Sequence, residues 1–317
     1  MTILITGGAG FIGSHLAKKL LEQNYNIIIA DNFNNYYDPQ LKKDRIKILL
    51  KDFSFKLYKQ DIAEIDGLKK IFKENKIDKI VHLAAQAGVR YSIENPYAYI
   101  ESNIKGTLNI FELAKEFKIK QVVYASSSSV YGDNKKLPFS ESDKIQTPLS
   151  MYAVSKITTE MIAYSYNKIY NIKSTGLRYF TVYGPWGRPD MALFLFTENI
   201  LKNKFVNLNN NGKMKRNWSY IDDIVNGTIL ALEKPFDYEI FNLGGKKSIK
   251  LIKFVELIEK YLNKKAIKNY ISMPTGEVPE TQADLSKAKK MLNFNPKINI
   301  ETGVKNFIDW YLEYFNL

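Results

Sequence analysis

Apolar residues in this chain fall in short runs separated by amphipathic stretches, and the two alternate through the first half. Runs at 2–6, 26–30, 54–58, 79–83, 121–125 and 173–178 predict strands. The segments 12–23, 41–50, 65–74, 97–117 and 151–170 carry apolar positions three and four apart and predict helices. Alternation at this spacing implies βαβ units and a parallel sheet covered on both faces. The strand ends would carry Gly7, Asp31, Asp61, Ala84-Ala85-Gln86 and Ser126 to Ser129. In open α/β sheets ligands bind beyond the carboxyl ends of the strands, so these loops should line one crevice.

Beyond about residue 180 the rhythm changes. Gly184-Pro185-Trp186-Gly187-Arg188-Pro189 reads as loop, 192–202 as helix and 209–212 as a polar turn. A helix at 221–233 leads to an apolar run, 239–243, that ends at Gly244-Gly245 and could rejoin the sheet. The remainder reads as helices at 250–262 and within 285–317, around a short strand at 267–271. The expected fold is α/β, a Rossmann-type doubly wound parallel sheet with a smaller, mainly helical C-terminal lobe. Residues 1–178 with about 218–246 would form the first domain, and 179–217 with 247–317 the substrate lobe.

The first strand runs into Thr-Gly-Gly-Ala-Gly-Phe-Ile-Gly. Gly7, Gly10 and Gly13 stand three apart, and a helix with Leu16, Leu20 and Leu21 follows. Strand, glycine turn and helix in that order present backbone N–H groups and a positive helix end to a pyrophosphate. A side chain at Gly10 would block that approach, and one at Gly13 would hold the helix off the strand. Phe11 and Ile12 complete the turn. The second strand ends at Asp31, followed by Asn32. A carboxylate there accepts hydrogen bonds from an adenosine ribose and repels a 2′-phosphate, which favours NAD over NADP. A glycine turn that only packs a βα unit would leave Asp31 without a role.

Composition removes other classes. At 317 residues the chain can bury a sizeable core. It has no cysteine, which excludes disulfides and thiolate chemistry, and two histidines are too few for a histidine metal cluster; no metal is expected. His15 and His82 are read as packing or capping residues. The N-terminus lacks the features of a signal peptide, and no apolar run nears the ~20 residues of a membrane span. A cytoplasmic protein without a membrane partner is expected. Lys+Arg 46 against Asp+Glu 33 gives +13. The lysines are scattered over helix faces, so nucleic acid is not an expected partner, although a positive field helps gather an anionic small substrate.

Tyr152-Ala-Val-Ser-Lys156 opens the helix at 151–170. Positions i and i+4 share a helix face, so phenol and ammonium point the same way. A nearby cation, with the positive nicotinamide ring, would favour phenolate relative to the ~10 at which tyrosine titrates in water. Tyr152 is then a general base for an alcohol proton, and a hydroxyl among Ser126 to Ser129 can orient the same alcohol. Either feature alone is common; joined to a dinucleotide fold in this order, they point to catalysis.

With these residues in place, the chain resembles the extended short-chain dehydrogenase/reductase family nearly end to end. The motifs are T-G-G-A-G-F-I-G, Asp61-Ile62, H-L-A-A-Q at 82–86, A-S-S-S-S-V-Y-G at 125–132 and Y-A-V-S-K at 152–156. R-Y-F-T-V-Y-G-P at 178–185, R-N-W-S-Y-I-D-D at 216–223 and F-N-L-G-G at 241–245 follow. The resemblance implies a nucleotide-sugar substrate, a tightly bound NAD restored in each turnover, and a triad of Ser127, Tyr152 and Lys156. It places Gly7, Gly10, Phe11, Ile12, Gly13, Asp31, Asn32, Asp61, Ile62, Ala84, Ala85, Gln86, Asn103, Tyr152 and Lys156 at the cofactor. Dehydratases of the family carry an Asp-Glu pair after the triad serine, and the decarboxylases resemble them in having a glutamate. Ser128 and Ser129 stand there in this chain, which leaves simple C4 epimerisation. Tyr152 would take the O4 proton and hydride would leave C4; the 4-keto sugar would turn over and take hydride back on its other face.

Four stretches resemble the UDP-glucuronate 4-epimerases in particular. They are D-N-F-N-N-Y-Y-D-P-Q-L-K at 31–42, A-A-Q-A-G-V-R-Y-S at 84–92, Y-G-P-W-G-R-P-D-M-A at 183–192 and M-P-T-G-E-V-P-E-T-Q-A-D at 273–284, the last with Gln282 where an aromatic is expected. The likeness implies UDP-galacturonate as product, with Thr181 and Arg188 meeting the sugar carboxylate; a bidentate arginine suits that group. A pair between Arg188 and Asp190 in its own loop is the alternative. Arg90 is a candidate for the cofactor phosphates or the sugar, and Arg216 for the uridine ribose or diphosphate; Ser127, Ser128, Ser129 and Tyr152 would also face the sugar. Trp186 and Trp218 are read as packing. A C4 epimerase of UDP-glucose or UDP-N-acetylglucosamine, a dehydratase and a non-catalytic NAD-binding regulator remain as alternatives. Members of the family often pair as homodimers through the helices at 97–117 and 151–170. Tyr97, Ile104, Leu108, Phe111, Ile162 and Tyr166 could face a second copy or the sheet.

Overall fold

The computed structural model describes residues 1–317. Its strands are β1 (Thr2–Thr6), β2 (Asn26–Asp31), β3 (Lys56–Lys59), β4 (Lys79–His82), β5 (Gln121–Ser127), β6 (Lys173–Tyr179), β7 (Thr181–Tyr183), β8 (Phe205–Leu208), β9 (Lys215–Tyr220), β10 (Tyr238–Leu243), β11 (Ser248–Lys250) and β12 (Ile267–Tyr270). Seven of them form a parallel sheet in the order β10-β6-β5-β4-β1-β2-β3. The strand order turns back between β1 and β4, and a ligand crevice is expected beyond the strand ends at that point.

Both faces of the sheet are covered. Ile3, Leu4 and Ile5 of β1 are all fully buried. Alternate residues serve opposite faces. Ile3, Ile5, Ile27 and Ile29 pack with Leu16 and Leu20 of helix Phe11–Glu22 and with Ile224 of helix Ile221–Glu233. Leu4, Ile28 and Ala30 pack with Leu68, Ile71, Ile110 and Leu113 on helices Ile65–Glu74 and Gly106–Glu116. Double-sided burial explains why these strands read as continuous apolar runs.

The helix at Met151–Tyr170 begins at Ser150, whose hydroxyl accepts from Ala153 N at 3.1 Å, and ends at Asn171 in the left-handed region, φ 57°. That cap places Tyr152 and Lys156 in the first two turns. The expected helix at 97–117 is one winding path through Tyr97–Tyr99, a wider turn at Ile100–Lys105 and Gly106–Glu116. Phe111 on it is fully buried and faces the sheet, whereas Tyr97 and Leu108 are exposed.

The C-terminal half contains strands beyond the apolar pattern. β7 pairs parallel with β9, and β11 pairs antiparallel with β9 on its other side. β8 pairs with β12. β12 is the strand expected at 267–271; β7, β8, β9 and β11 are three to six residues long, and β9 opens with Lys215-Arg216-Asn217, so pairing across the lobe makes them strands, not local alternation. β10 adds parallel to β6 at the end of the main sheet. No helix is long and apolar enough to cross a membrane.

Candidate active site

The strand ends open on a cleft of about 920 Å³ between the main sheet and the lobe. At its floor the chain leaves β1 through Gly7, with φ +72°, and enters helix Phe11–Glu22 at Gly10. A Cβ on Gly7 would lie 2.7 Å from Ala84 N, so the turn is pressed against the exit of β4. A Cβ on Gly13 would lie 2.2 Å from the Gly7 carbonyl oxygen. The obstruction is therefore the turn's own backbone, not the strand beneath the helix. No side chain caps the helix, which leaves its first N–H groups free for an anion. Asp31 at the end of β2 is buried; its two oxygens accept from Ala9 N at 3.1 Å and Phe33 N at 2.9 Å. Each oxygen keeps a lone pair for a ribose hydroxyl. A tight glycine turn, an uncapped helix and an acid at the next strand end together fit a dinucleotide.

Gly10, Phe11, Ile12, Asn32, Ile62, Ala84, Ala85 and Gln86 also line the cleft. Asp61 and Asn103 do not. Asp61 accepts from Asn32 Nδ2 at 2.8 Å and Ala63 N at 2.8 Å. Asn103 bonds both backbone groups of Gln86, at 2.7 and 3.0 Å, and donates to Ser155 Oγ at 2.9 Å. Both were expected at the cofactor. Both fix loops that line the cleft, and each Asp61 oxygen, like those of Asp31, keeps a lone pair for a ligand.

Tyr152, Lys156 and Ser127 to Ser129 meet on one wall. Ser127 Oγ accepts from Ser129 N at 3.1 Å and donates to Ser129 Oγ at 3.2 Å. Burial pushes the Tyr152 phenol up, while the Ser127 hydroxyl and the Arg188 guanidinium pull it down. Lys156 was expected to be the cation that acts on the phenol. Its ammonium donates one of its three N–H groups to Ala125 O at 2.8 Å, and burial lowers it to about 8 against the pull of Glu160. Beneath it, Glu160 makes a bidentate pair with Arg178 at 2.8 and 2.9 Å and accepts from Ser126 Oγ at 2.6 Å. His82 is buried between Thr6 at 2.7 Å and Thr107 at 3.1 Å, and burial holds it to about 3. His15 Nδ1 donates to Phe11 O at 2.9 Å, and burial holds the ring to about 4. Neither histidine lines the cleft.

Thr181, at the start of β7, and Arg188 line the same cleft. Arg188 makes the local pair: Nε bonds Asp190 Oδ1 at 3.0 Å and Nη2 bonds Asp190 Oδ2. Tyr36 donates to the same carboxylate at 3.2 Å, and its ring lies 5.9 Å from the guanidinium carbon. The Nη1 side of the fork remains for a ligand. At the mouth, Arg216 bonds Glu277 at 2.7 Å, and Arg90 approaches the same carboxylate at 3.6 Å. One chain carboxylate thus stands between Arg216, expected at the uridine ribose or diphosphate, and Arg90, expected at the cofactor phosphates or the sugar. Trp186 packs on Trp310 and Tyr314, and Trp218 stacks on Phe254 at 3.9 Å, as packing residues. The Arg188–Asp190 pair is the local alternative that the sequence offered, whereas the partners of Tyr36 and Glu277 appear only in the folded chain.

The sequence model of the NAD dependent epimerase/dehydratase family matches residues 3–244. The chain is 45% identical over 315 residues to the UDP-glucuronate 4-epimerase of Thermodesulfobacterium geofontis, covering 99% of this chain and 97% of that protein. UDP-glucuronate 4-epimerase 4 of Arabidopsis thaliana is 44% identical over 334 residues, covering 100% of this chain and 76% of that protein. Among solved structures, the UDP-glucuronic acid 4-epimerase from Bacillus cereus in complex with UDP-glucuronic acid and NAD is similar, with a TM-score of 0.93. It is 36% identical, and the match covers 99% of this chain and 100% of that one.

Proposed function

The chain belongs to the NAD dependent epimerase/dehydratase family, and from that premise we propose that it converts UDP-glucuronate to UDP-galacturonate by C4 epimerisation. The enzyme is an NAD-dependent isomerase. The observation that carries the choice of sugar is that Arg188 lines the same cleft as Tyr152 and is close enough to bias its phenol.

Gly7, Gly10, Gly13 and Asp31 would hold NAD, with Lys156 toward the nicotinamide ribose. When bound, the cofactor supplies a reversible hydride acceptor. Tyr152 removes the proton from O4 and returns it after the 4-keto sugar has turned over. Ser127 orients that oxygen. Ser128 and Ser129 offer no acid for elimination at C5. Oxidation at C4 of a uronate creates a β-keto acid, which loses CO2 when its C5–C6 bond aligns with the carbonyl π system. Thr181 and the open side of Arg188 would hold the carboxylate out of that alignment. Asp190 and Tyr36 keep the guanidinium aimed. Arg216 and Arg90 would meet the UDP moiety in exchange for Glu277.

The product is an activated glycosyl donor suited to polysaccharide assembly, and the cytoplasm is the proposed site of action. A homodimer is also proposed, through the exposed faces of helices Gly106–Glu116 and Met151–Tyr170 and the turn before them. Tyr97 is 76% exposed and Met161 64%, which supports an apolar seam there. Light scattering checks it, with Met161→Glu expected to give monomer.

The deciding experiment incubates the protein with UDP-glucuronate, UDP-glucose and UDP-N-acetylglucosamine without added NAD and analyses the sugars. UDP-galacturonate should form. No turnover of UDP-glucuronate refutes the proposal, and turnover only after NAD is added refutes a tightly bound cofactor. Arg188→Ala should weaken uronate use and raise CO2 release.

A further inference from the structure

We infer that Arg45 is a positioning residue for uronate recognition, tying the loop that carries Arg188 to the glycine turn at the cofactor floor. The inference rests on the reading of the cleft as a uronate site. Arg45 follows helix Pro39–Asp44 and is fully buried. No carboxylate pairs with it. Each of its five N–H groups has a neutral acceptor instead. Nε and Nη2 clamp the Trp186 carbonyl at 3.1 and 2.7 Å, and Nη2 also reaches Gly187 O at 3.3 Å. Nη1 donates to Ala9 O, within the glycine turn, at 3.2 Å and to the Tyr37 hydroxyl at 2.7 Å. A buried guanidinium without a counter-charge is costly, so such complete matching marks a demanding structural need.

The clamped segment is unusual. Trp186 has φ +63°, a left-handed conformation that a bulky residue adopts only when its surroundings enforce it. Its ring is fixed by Trp310 and Tyr314, and its carbonyl by Arg45. Tyr314 in turn donates to Asp44 Oδ2 at 2.5 Å, next to Arg45. The chain then has two residues in which to deliver Arg188 to Asp190 and the cleft. A planar fork holds Ala9 on one side and Trp186 and Gly187 on the other at fixed separation; a lysine ammonium, with three donors at one point, cannot span them.

Arg45→Lys tests this, because it keeps the charge and loses the span. Calorimetry on NAD-containing protein measures binding of UDP-glucuronate, UDP-glucose and UDP. The Kd for UDP-glucuronate should rise about tenfold, while those for UDP-glucose and UDP stay within about twofold. CO2 released per epimerisation should also rise. In an Arg188→Ala background, Arg45→Lys should change selectivity no further, as expected when one residue acts through the other. Equal weakening of all three ligands, or unchanged UDP-glucuronate binding, overturns the inference. UDP binding in the same sample reports on folding. If Arg45→Lys does not fold, Tyr37→Phe removes one acceptor and should shift the same ratio about two- to fourfold, with no shift counting against the inference. A wild-type protein that does not favour UDP-glucuronate over UDP-glucose refutes the uronate reading itself, a distinguishable failure.

Discussion

Alanine at Gly13 should remove both cofactor and stability, whereas alanine at Gly10 should remove cofactor alone. On Gly13 the added Cβ lies 2.2 Å from Gly7 O and 2.8 Å from Gly8 Cα. Cβ contacts stop near 3.0 Å, so the turn must open by roughly 0.8 Å. Both obstacles are backbone and cannot rotate aside. Gly7 cannot retreat freely either, because Ala84 stands behind it. Overpacking of this kind costs about 1–3 kcal/mol, which for a chain of this length lowers Tm by roughly 1.5–4.5 °C. On Gly10 the Cβ lies 3.0 Å from Gly7 O and has no other contact below 4.0 Å. The fold tolerates it, but the methyl group projects where the helix end should meet a pyrophosphate. The assay compares NAD released from equal amounts of denatured protein with thermal melts of NAD-stripped samples. Full NAD content and an unchanged Tm for Gly13→Ala would falsify the argument from close approach. Full NAD content in Gly10→Ala would move the pyrophosphate away from this turn.

Tyr152→Phe should fold and retain NAD, since the ring keeps its edge contact with Tyr99 at 6.0 Å, yet epimerisation should fall about 10²–10⁴-fold; near-normal turnover assigns the base elsewhere. Glu160→Gln leaves Arg178, 3% exposed, without its counter-charge and should cost about 3–5 kcal/mol in urea unfolding. A loss near zero contradicts the buried pair. His82 and His15 are held neutral, at about 3 and 4, so below ~6.5 the unfolded chain takes up protons that the folded chain refuses. Their contribution is fully present above that pH and is lost as pH falls toward 4. His82→Gln should flatten the fall in stability over that interval, and an unaltered slope rules out His82 as a contributor.

The strands at the centre of the sheet were legible because burial on both faces leaves a continuous apolar run, as in Ile3-Leu4-Ile5. The helix at Met151–Tyr170 was legible because helix periodicity leaves its mark on local residues. β9 carries no such mark: Asn217, Trp218 and Ser219 are buried by strands that arrive from distant parts of the chain. Side-chain destinations were harder still. Spacing put Tyr152 and Lys156 on one face but could not show that Ala125 O would hold the ammonium. The same limit applies to the charges. Arg188, Arg90 and Arg216 were recognisable as cations for an anionic substrate, yet each already faces a carboxylate, Asp190 for the first and Glu277 for the others. Arg45, which no motif singled out, has no such partner. On the proposed reading, a uronate would meet cations whose charge is largely balanced, and it would gain by exchanging partners at well-aimed forks more than by neutralising bare charge. Selectivity of that kind would depend on where Arg188 points, and the bonds from Arg188 and Tyr36 to Asp190 and from Arg45 to Trp186 O are the ones proposed to set that aim.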